Sequence, residues 1–470
     1  MNMFFRSFFD ENLAQHSYLV GCQQTGEAIV IDPARYLEPY FETAKTEGLT
    51  IIAAAETHIH ADYLSGAREL GVQYDALLYL SDEGDDDWKY EYLDDVNYTL
   101  LKDGDEFHIG KIKFETIHTP GHTPESISFV LTDQGGGSQQ PMGIFTGDFV
   151  FVGDVGRPDL LEKAAGVADT ADAGARDMFR SIQKFKELPD FLQLWPGHGA
   201  GSACGKSLGA VPMSTIGYEK LNNWALKIEN EEEFVNTLLA GQPEPPTYFA
   251  MMKKLNKIGP NLTNHEEIAR LSDVSELEKF GNGTVLLDTR FASDFSQAHY
   301  PGAINIPHNK SFTNWAGWLL KYDQDIVLIS PETDVKSIQK DLQSIGLDRV
   351  VATIEPALTL VNEDQVESYE EITVQQLQEY LQDDRYYLID VRNNSEWEAG
   401  RIDGAHHHML GSLTDQLDEL PKGKTYLMQC RSGARSSMAT SLMQAHGFKD
   451  VKNVKGGYLA WTNEKLPVIK

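Results

Sequence analysis

The sequence predicts a multidomain α/β protein, and three observations support that prediction. The chain has 470 residues, which is too long for one ordinary domain. In its first half, short apolar runs end in polar turns, as strands do when they deliver side chains to a site. In its second half, two stretches of about a hundred residues resemble each other, which indicates tandem domains.

Composition limits the classes of function. Asp and Glu number 71 against 40 Lys and Arg, so the net charge is −31. Such a surface repels phosphate backbones and anionic lipid, so we expect neither nucleic acid nor a membrane as partner. The three cysteines are too far apart for a disulfide framework, and the amino terminus lacks the features of a targeting segment. We therefore expect a cytoplasmic protein.

The first motif follows the apolar segment 49–55, which reads as a buried strand. It places His58 and His60 two residues apart, followed by Asp62. In extended backbone the two imidazoles would point to the same side. The motif alone fits a polar surface loop as well as a divalent metal site.

Three more predicted strands end in the same manner. His122 lies in the turn 119–124, Asp148 follows the strand 143–147, and His198 follows the strand 192–196. Four strand ends that carry imidazoles and carboxylates are hard to explain without a metal. The sequence therefore predicts a metal centre in the first half.

These motifs, THIHAD, PGHT, TGD and PGHG in that order, resemble those of the metallo-β-lactamase superfamily. The resemblance implies an αββα sandwich over residues 1–260, with the metal at one edge of its two sheets. The superfamily's usual two-metal pattern has a histidine at the position of Tyr63. A neutral phenol is a poor ligand, because its pKa is about 10, so we expect a mononuclear site.

Two imidazoles and one carboxylate around an ion with open positions describe a facial triad for non-haem Fe(II). Within the superfamily, the sequence is similar to the persulfide dioxygenases. This resemblance implies Fe(II) held by His58, His122 and Asp148, with dioxygen as co-substrate. Spacing alone does not decide between His58 and His60. The side chains expected around the ligands, or as alternative ligands, are His60, Asp62, Tyr63 and His198.

Two further residues are candidates for the same site. Arg157 follows the Asp148 strand and could bind a substrate carboxylate through two hydrogen bonds, or form a structural ion pair. Cys204 lies in a loop of small residues after His198. It could be a catalytic thiol facing the substrate, or only fill a tight loop.

The second half contains the repeat. Residues 285–290 match 387–392, residues 301–307 match 403–408, and residues 326–330 match 426–430. The second copy continues into a Cys430–Arg431–Ser432–Gly433–Ala434–Arg435 loop before a predicted helix. Backbone N–H groups around the sulfur, with Arg431 and Arg435 beside it, favour a thiolate or persulfide.

This loop resembles a rhodanese active-site loop, and the resemblance implies sulfur transfer by Cys430. The first copy has Ser330 at the corresponding position, followed by Pro331–Glu332–Thr333–Asp334. A hydroxyl cannot carry sulfane sulfur. We therefore expect an inactive rhodanese-like domain over residues 265–365 and a catalytic one over 370–470.

The whole chain resembles the CstB-like persulfide dioxygenase–rhodanese fusion proteins of bacteria. The resemblance implies oxidation of glutathione, coenzyme A or bacillithiol persulfide to sulfite, followed by sulfur transfer to give thiosulfate, in sulfide detoxification. It also implies a homo-oligomer. Two alternatives stay open: a zinc thioester hydrolase of the glyoxalase II type with an appended sulfurtransferase, and a persulfide carrier or redox sensor.

Overall fold

The computed structural model describes residues 3–160, 162, 170–263, 267–281, 283–361 and 366–470. The chain divides into two compact units. The first is built on residues 1–264 together with Gln343–Gly346, and the second on the rest of the chain from residue 265 onward. Among the described residues, no helix combines the length and the apolar character that crossing a membrane requires.

The first unit contains two six-stranded sheets. In the first sheet the strands lie in chain order: β1 (Met3–Asp10), β2 (Gln15–Cys22), β3 (Glu27–Ile31), β4 (Thr50–Ala55), β5 (Leu77–Ser81) and β6 (Tyr98–Leu101). The second has the order β12-β11-β10-β9-β8-β7, with β7 (Glu106–Ile109), β8 (Ile112–His118), β9 (Ile127–Asp133), β10 (Gly143–Gly147), β11 (Gln193–Pro196) and β12 (Ser214–Thr215).

The helices of this unit are α1 (Glu38–Thr46), α2 (Ala67–Tyr74), α3 (Thr170–Lys186), α4 (Ile216–Asn222), α5 (Trp224–Lys227), α6 (Glu231–Leu239) and α7 (Phe249–Ile258). Helices α1 and α2 bury apolar side chains against the outer face of the first sheet. Helices α3 to α6 cover the second sheet in the same way.

The core between the two sheets is rich in aromatic side chains. Phe114, Phe129, Phe145 and Trp195 from the second sheet meet Tyr18 and the aliphatic side chains of the first. Each of these five residues is buried, and burial of one such side chain contributes roughly 1.5–3 kcal/mol. This layer holds the two sheets face to face, so the loops at their shared edge have a rigid base.

The second unit contains two five-stranded sheets of the same topology. The first has the order β13-β17-β16-β14-β15, with β13 (Ala269–Arg270), β14 (Val285–Asp288), β15 (Ile304–Asn305), β16 (Ile326–Ile329) and β17 (Val350–Ile354). The second has the order β18-β22-β21-β19-β20, with β18 (Glu370–Ile372), β19 (Tyr386–Asp390), β20 (Ala405–His407), β21 (Thr425–Gln429) and β22 (Val451–Val454).

All strand pairs in these two sheets are parallel, so each connection between neighbours crosses over through helical segments. The helices are α8 (Ala292–Gln297), α9 (Phe312–Leu319), α10 (Val335–Ser344), α11 (Pro356–Thr359), α12 (Val374–Tyr380), α13 (Asn394–Ala399), α14 (Leu413–Gln416), α15 (Ala434–Ala445) and α16 (Gly457–Asn463). The predicted fold class, an αββα sandwich followed by two further α/β domains, is confirmed.

Candidate functional site

Four turns bring the predicted metal-binding residues to one place in the first unit. His58 follows β4, His122 lies between β8 and β9, Asp148 follows β10, and His198 follows β11. All four side chains are buried. The structure therefore brings together the residues that the strand ends supply, from both sheets.

The first group of donors consists of His58, His122 and Asp148, whose ligand atoms lie within 4.8 Å of one another. Nε2 of His122 is 3.5 Å from Oδ2 of Asp148, and Nε2 of His58 is 3.9 Å from the same oxygen. Ligand atoms held about 2.1 Å from one ion lie roughly 3–3.6 Å apart. The three side chains are thus close to the separation that a single divalent ion imposes.

Hydrogen bonds fix which ring nitrogen faces this space. Nδ1 of His122 is 2.9 Å from the carbonyl oxygen of Arg157, which can only accept, so Nδ1 carries the proton. Thr57 Oγ1 donates to Asp32 Oδ2 at 2.9 Å and can therefore accept from Nδ1 of His58 at 3.0 Å. Nε2 of both rings is left with a free lone pair, as a metal ligand requires.

The electrostatic surroundings of His58 and His122 favour neutral imidazoles. Burial, and next the charge of His60, hold the pKa of His58 well below its usual value. Burial also lowers the pKa of His122, against the opposing effect of Asp148. Neutral rings are the form that binds a metal.

The hydrogen-bond partners of these ligand atoms show whether the three side chains fit a metal. His58 Nε2 and both carboxylate oxygens of Asp148 are buried without a hydrogen-bond partner. A buried carboxylate without partners is costly, and a divalent cation bound by these atoms would satisfy them together. The donor set therefore fits a metal, and two imidazoles with one carboxylate suit Fe(II) as well as Zn²⁺.

His60 has different partners from those of His58. Its Nε2 lies 3.2 Å from Asp32 Oδ1 and 3.2 Å from Glu56 Oε2. Burial opposes a charge on the ring, but the carboxylates of Asp32 and Glu56 raise the pKa of His60 well above its usual value. A protonated ring has no lone pair for a metal. The geometry thus separates the two histidines that spacing alone left undecided, because only His58 faces His122 and Asp148.

A second group of donors lies beside the first. Asp62, His198 and Cys204 have ligand atoms within 4.8 Å of one another. His198 Nε2 is 3.0 Å from Asp62 Oδ2 and 3.5 Å from Asp148 Oδ1. Burial opposes a charge on this ring, but Asp148 and Asp62 raise the pKa of His198 to about 9.

Cys204 is the third member of this second group. The sequence places a cysteine in the loop after His198, and the structure brings the buried Cys204 thiol beside Asp62 and His198. Burial, together with the charges of Asp62 and Asp148, raises the pKa of Cys204 well above its usual value. Without a cation beside it, this residue is therefore a thiol and not a thiolate.

The hydroxyl of Tyr63 is directed to the backbone of Asp32. It lies 3.4 Å from the carbonyl oxygen of that residue, and burial raises the pKa of Tyr63 well above 10. Asn256 on α7 holds the motif loop, since its Nδ2 donates to the carbonyl oxygens of His60 and Tyr63, each at 2.8 Å. The loop is therefore fixed by a helix far away in the sequence.

Arg157 does not face a substrate. Its side chain is fully buried, and Nε and Nη2 each donate to one carboxylate oxygen of Asp159 at 2.7 Å. The two-pronged face of the guanidinium is thus occupied. The expectation that Arg157 binds a substrate carboxylate is corrected: the structure has the ion pair that the sequence left as the alternative, and the residue contributes its backbone oxygen to His122.

Close packing explains the glycines in these motifs. A Cβ on Gly197 would lie 2.6 Å from Asp148 Oδ1, and one on Gly147 would lie 2.2 Å from Thr57 Oγ1. Gly147 also has φ of +49°, which favours glycine. Gly197 thus lets the turn before His198 approach the Asp148 turn, and Gly147 lets the Asp148 turn approach Thr57, the residue before His58.

The predicted sulfur site lies in the second unit. Cys430 follows β21, and its Sγ accepts a hydrogen bond from the Gly433 N–H at 3.1 Å. The Ser436 hydroxyl lies 3.4 Å from the same sulfur and 2.7 Å from Asn453 Oδ1. Helix α15 begins at Ala434, so the sulfur lies near the positive end of the helix dipole. The arrangement can stabilise negative charge on sulfur.

The two arginines of the loop have different surroundings. Arg431 is exposed. Arg435 makes two hydrogen bonds to Glu396, at 2.6 and 2.9 Å. Burial opposes the charge, but this pairing raises the pKa of Arg435. In the first copy, Ser330 lies at the corresponding strand end, and its hydroxyl donates to the Pro331 carbonyl oxygen at 3.3 Å.

Four residues that position the site were not singled out from the sequence. Asp32, Glu56 and Glu125 are buried carboxylates around the THIHAD motif, and Asn256 clamps it from α7. Glu125 accepts from the Ile59 N–H at 2.7 Å, and burial raises its pKa to about 7. Asp32 and Glu56 adjoin strand ends and could have been found from their position, whereas nothing local marks Asn256.

Comparison with known proteins agrees with this geometry. The metallo-beta-lactamase superfamily model matches residues 11–198, and the rhodanese-like domain model matches residues 273–353 and 373–464. A solved metallo-beta-lactamase structure from Staphylococcus aureus subsp. aureus COL is 48% identical, with a TM-score of 0.70. The match covers 76% of this chain and 100% of that one. The chain belongs to the metallo-β-lactamase superfamily. It carries two rhodanese-like domains in tandem.

Three curated relatives cover its parts. Persulfide dioxygenase ETHE1 of Bos taurus is 27% identical over 232 residues, 48% of this chain and 77% of the relative. The probable polyketide biosynthesis zinc-dependent hydrolase BaeB of Bacillus velezensis is 26% identical over 224 residues, which are 47% of this chain and 86% of the relative. The putative sulfurtransferase YtwF of Bacillus subtilis is 40% identical over 98 residues, which are 21% of this chain and 94% of the relative. The first unit is thus homologous to both dioxygenases and hydrolases.

Proposed function

We propose that this chain is an iron-dependent persulfide dioxygenase, residues 1–260, joined to an inactive rhodanese-like domain, 265–365, and a catalytic rhodanese, 370–470. The observation that carries the proposal is the different use of two neighbouring histidines. His58 joins His122 and Asp148, whereas Asp32 and Glu56 bind His60. His58, His122 and Asp148 thus provide two imidazoles and one carboxylate, which is the ligand set of facial-triad dioxygenases.

The proposed overall reaction balances without another oxidant. One thiol persulfide anion, one dioxygen and one water give one thiol, one sulfite and one proton. Fe(II) held by His58, His122 and Asp148 would supply open coordination positions and electrons for oxygen activation. The protein contributes the fixed ring nitrogens of both histidines and a buried surrounding that limits access of water.

The sulfur-transfer step would use Cys430. Its thiolate attacks the outer sulfur of a second persulfide, the S–S bond breaks, and the thiol leaves with a proton. Sulfite then takes that sulfur from the Cys430 persulfide, giving thiosulfate and restoring the thiolate. The Gly433 N–H would stabilise the anionic sulfur of the Cys430 thiolate. Fusion keeps this site at high local concentration near the sulfite that the first unit releases.

The partners that we propose are the persulfides of glutathione, coenzyme A or bacillithiol, together with sulfite. The 27% identity to a persulfide dioxygenase supports this choice, and the YtwF likeness supports sulfur transfer. Detoxification of sulfide in the cytoplasm and assembly as a homo-oligomer belong to the same proposal.

Oxygen uptake by the Fe(II)-loaded full-length chain tests the dioxygenase. We expect uptake with at least one of the three persulfides and a loss of at least about 10³-fold in the Asp148→Ala variant, since a metal ligand is removed. Metal content should fall in parallel. Asp177→Ala, a change at a half-exposed residue of α3 whose carboxylate pairs with Arg180, is the matched control and should retain both. Undiminished uptake by Asp148→Ala would contradict the dioxygenase and favour a persulfide carrier or redox sensor.

One observation favours a second candidate, a zinc-dependent thioester hydrolase. Asp62, His198 and Cys204 could hold a second ion beside the first, and two-metal sites are typical of hydrolases. This candidate predicts two zinc ions per chain, falling to one in Cys204→Ala, and thioester hydrolysis by the zinc form. The iron proposal predicts one metal ion per chain, with its content unaffected by Cys204→Ala.

A further inference from the structure

The strand that ends beside the catalytic loop is followed by opposite charges in the two rhodanese-like copies. At their carboxyl ends, β17 pairs with β16 in the same register as β22 pairs with β21. This register places Glu355, directly after β17, and Lys455, directly after β22, at equivalent positions. A carboxylate in the inactive copy therefore stands where the catalytic copy has an ammonium group.

Contacts in the first copy show what a side chain at this position reaches. Oε1 of Glu355 accepts a hydrogen bond at 2.9 Å from the N–H of Glu332, two residues after Ser330. Arg270 pairs with Glu332, and its Nη2 lies 4.0 Å from Oε1 of Glu355. A carboxylate of the chain itself thus occupies a loop N–H that an external anion would otherwise use.

The equivalent region of the second copy is open. Lys455 and Arg431 are both exposed. The N–H of Ser432, two residues after Cys430, makes no hydrogen bond within the described part of the chain. A Cβ on Gly433 would lie 3.9 Å from Cα of Lys455, so the lysine borders the loop. Because an ammonium group has no lone pair, Lys455 cannot close the loop as Glu355 does.

The carboxylates near this region differ in how they are paired. Glu396 makes two hydrogen bonds to Arg435, which largely neutralises that cation. Oε2 of Glu371 lies 3.9 Å from Nζ of Lys455, beyond hydrogen-bond distance, while Oε1 of Glu371 accepts from Asn453 at 3.3 Å. Glu371 weakens the attraction of Lys455 for an anion, but it leaves the three donors of the ammonium group available.

We propose that Lys455 binds the oxygen atoms of a sulfur oxyanion, sulfite or thiosulfate, that exchanges sulfur with Cys430. This inference rests on the proposed sulfur transfer and assigns the selection of its inorganic partner to a residue outside the cysteine loop. In a chain with a net charge of −31, a local cation is what lets a dianion approach. Glu355 excludes the same anions from the first copy.

Protection of Cys430 from alkylation measures this binding without turnover. The full-length chain is treated with neutral iodoacetamide at increasing sulfate and constant ionic strength, and labelling of Cys430 is followed by mass spectrometry. Sulfate has the oxygens of the proposed ligands but transfers no sulfur. We expect protection whose apparent Kd rises about three- to fivefold in Lys455→Met, the effect of one exposed charge pair.

Two further variants change the charge in opposite directions. Lys455→Glu installs the residue of the first copy and should raise the apparent Kd at least about tenfold, because repulsion replaces attraction. Glu371→Gln removes the competing carboxylate and should lower it. Absence of protection by sulfate in the unchanged protein, or protection that Lys455→Glu leaves unaltered, would overturn the proposal.

Sulfur transfer to cyanide from two donors adds a kinetic readout. Thiosulfate carries two negative charges and methanethiosulfonate one, and both present a sulfane sulfur on a sulfonyl group. Lys455→Met should raise KM more for thiosulfate than for methanethiosulfonate and leave kcat unchanged, since Cys430 and the Gly433 N–H stay in place. Equal changes in both KM values, or a fall in kcat alone, would contradict a charge-selective contact.

The matched control lies on the same strand. Lys452→Met removes the same charge at an ammonium group that pairs with Glu370, and it should behave as the unchanged protein does. Equal weakening in Lys452→Met and Lys455→Met would overturn the proposal, because the net charge alone would then explain it.

The two assays together separate this subsite from the proposed function. If protection by sulfate depends on Lys455 while neither donor supports sulfur transfer, the subsite stands and the proposed transfer fails. If transfer occurs with KM values that Lys455→Glu leaves unchanged, the transfer stands and the subsite fails.

Discussion

The two rhodanese-like copies have the same frame but different loops where a catalytic cysteine would lie. Their strand orders correspond, and each has an Asp-x-Arg pair at the end of the equivalent strand, β14 in the first copy and β19 in the second. Nη2 of Arg290 and of Arg392 donates at 2.6 Å to Asp288 and Asp390, respectively. The buried ion pair is retained in both copies, so it belongs to the frame.

The difference lies at the end of the neighbouring strand. In the second copy, a glycine N–H and a serine hydroxyl converge on Cys430 Sγ. In the first, the Ser330 hydroxyl donates to the next carbonyl oxygen, and the acidic residues Glu332 and Asp334 follow it. The fold of these domains therefore does not depend on the catalytic loop, because the residues that stabilise the sheet are separate from those that hold sulfur.

The largest effect should come from exchanging the residues that distinguish the copies. Cys430→Ser gives the second copy the hydroxyl of the first, so sulfurtransferase activity should fall at least about 10³-fold, because the nucleophile is lost. Ser330→Cys should not restore it, because the first copy lacks the donors. Sulfur transfer from thiosulfate to cyanide measures the activity of both variants. Activity in the double variant Ser330→Cys, Cys430→Ser would contradict the argument, because it would show that the first copy's loop can support sulfur transfer.

The shared frame gives the next largest effect. Asp390→Asn leaves the buried Arg392 guanidinium without its partner and should cost about 3–5 kcal/mol of local stability. Asp288→Asn should cost less, because Arg290 is more exposed. Hydrogen exchange in each copy measures the change. Asp383→Asn breaks an exposed pair of the same spacing and should change stability by less than about 1 kcal/mol; equal costs at Asp383 and Asp390 would refute the argument.

The smallest effect is a difference in pH dependence. Burial lowers the pKa of His299 in the first copy, so its stabilising contribution is present above about pH 6.5 and is lost as the pH falls below that value. In the second copy Arg401 has the corresponding backbone bridge and stays charged. Between pH 7 and pH 5, exchange protection near His299 should fall by up to about tenfold, and that near Arg401 should not.

His299→Gln should remove this dependence, since the glutamine side chain does not titrate. Protection that falls equally in both copies, or that still falls in His299→Gln, would assign the pH effect to other groups.

Much of the architecture follows from local sequence patterns. The strand before His58, predicted at 49–55, is observed at Thr50–Ala55, and the repeat in the second half corresponds to two sheets of identical order. These predictions succeed because apolar runs and turn residues act locally. The family motifs then lead from the strands to the αββα sandwich.

The site was only partly predictable. That His58, His122, Asp148 and His198 meet follows from their place at strand ends. The separate environment of His60 does not, because it depends on Asp32, which tertiary packing brings from another segment, as well as on Glu56 four residues before it. Arg157 was ambiguous because the sequence places Asp159 two residues away but does not show whether the two side chains pair or the guanidinium meets a substrate.

The most direct test of the whole account is product analysis during oxygen consumption by the Fe(II)-loaded chain, comparing the unchanged protein with Cys430→Ser. The account predicts thiosulfate from the unchanged protein, and sulfite with undiminished oxygen uptake from Cys430→Ser. Thiosulfate from Cys430→Ser, or loss of its oxygen uptake, would contradict the division of labour between the metal centre and the sulfur site.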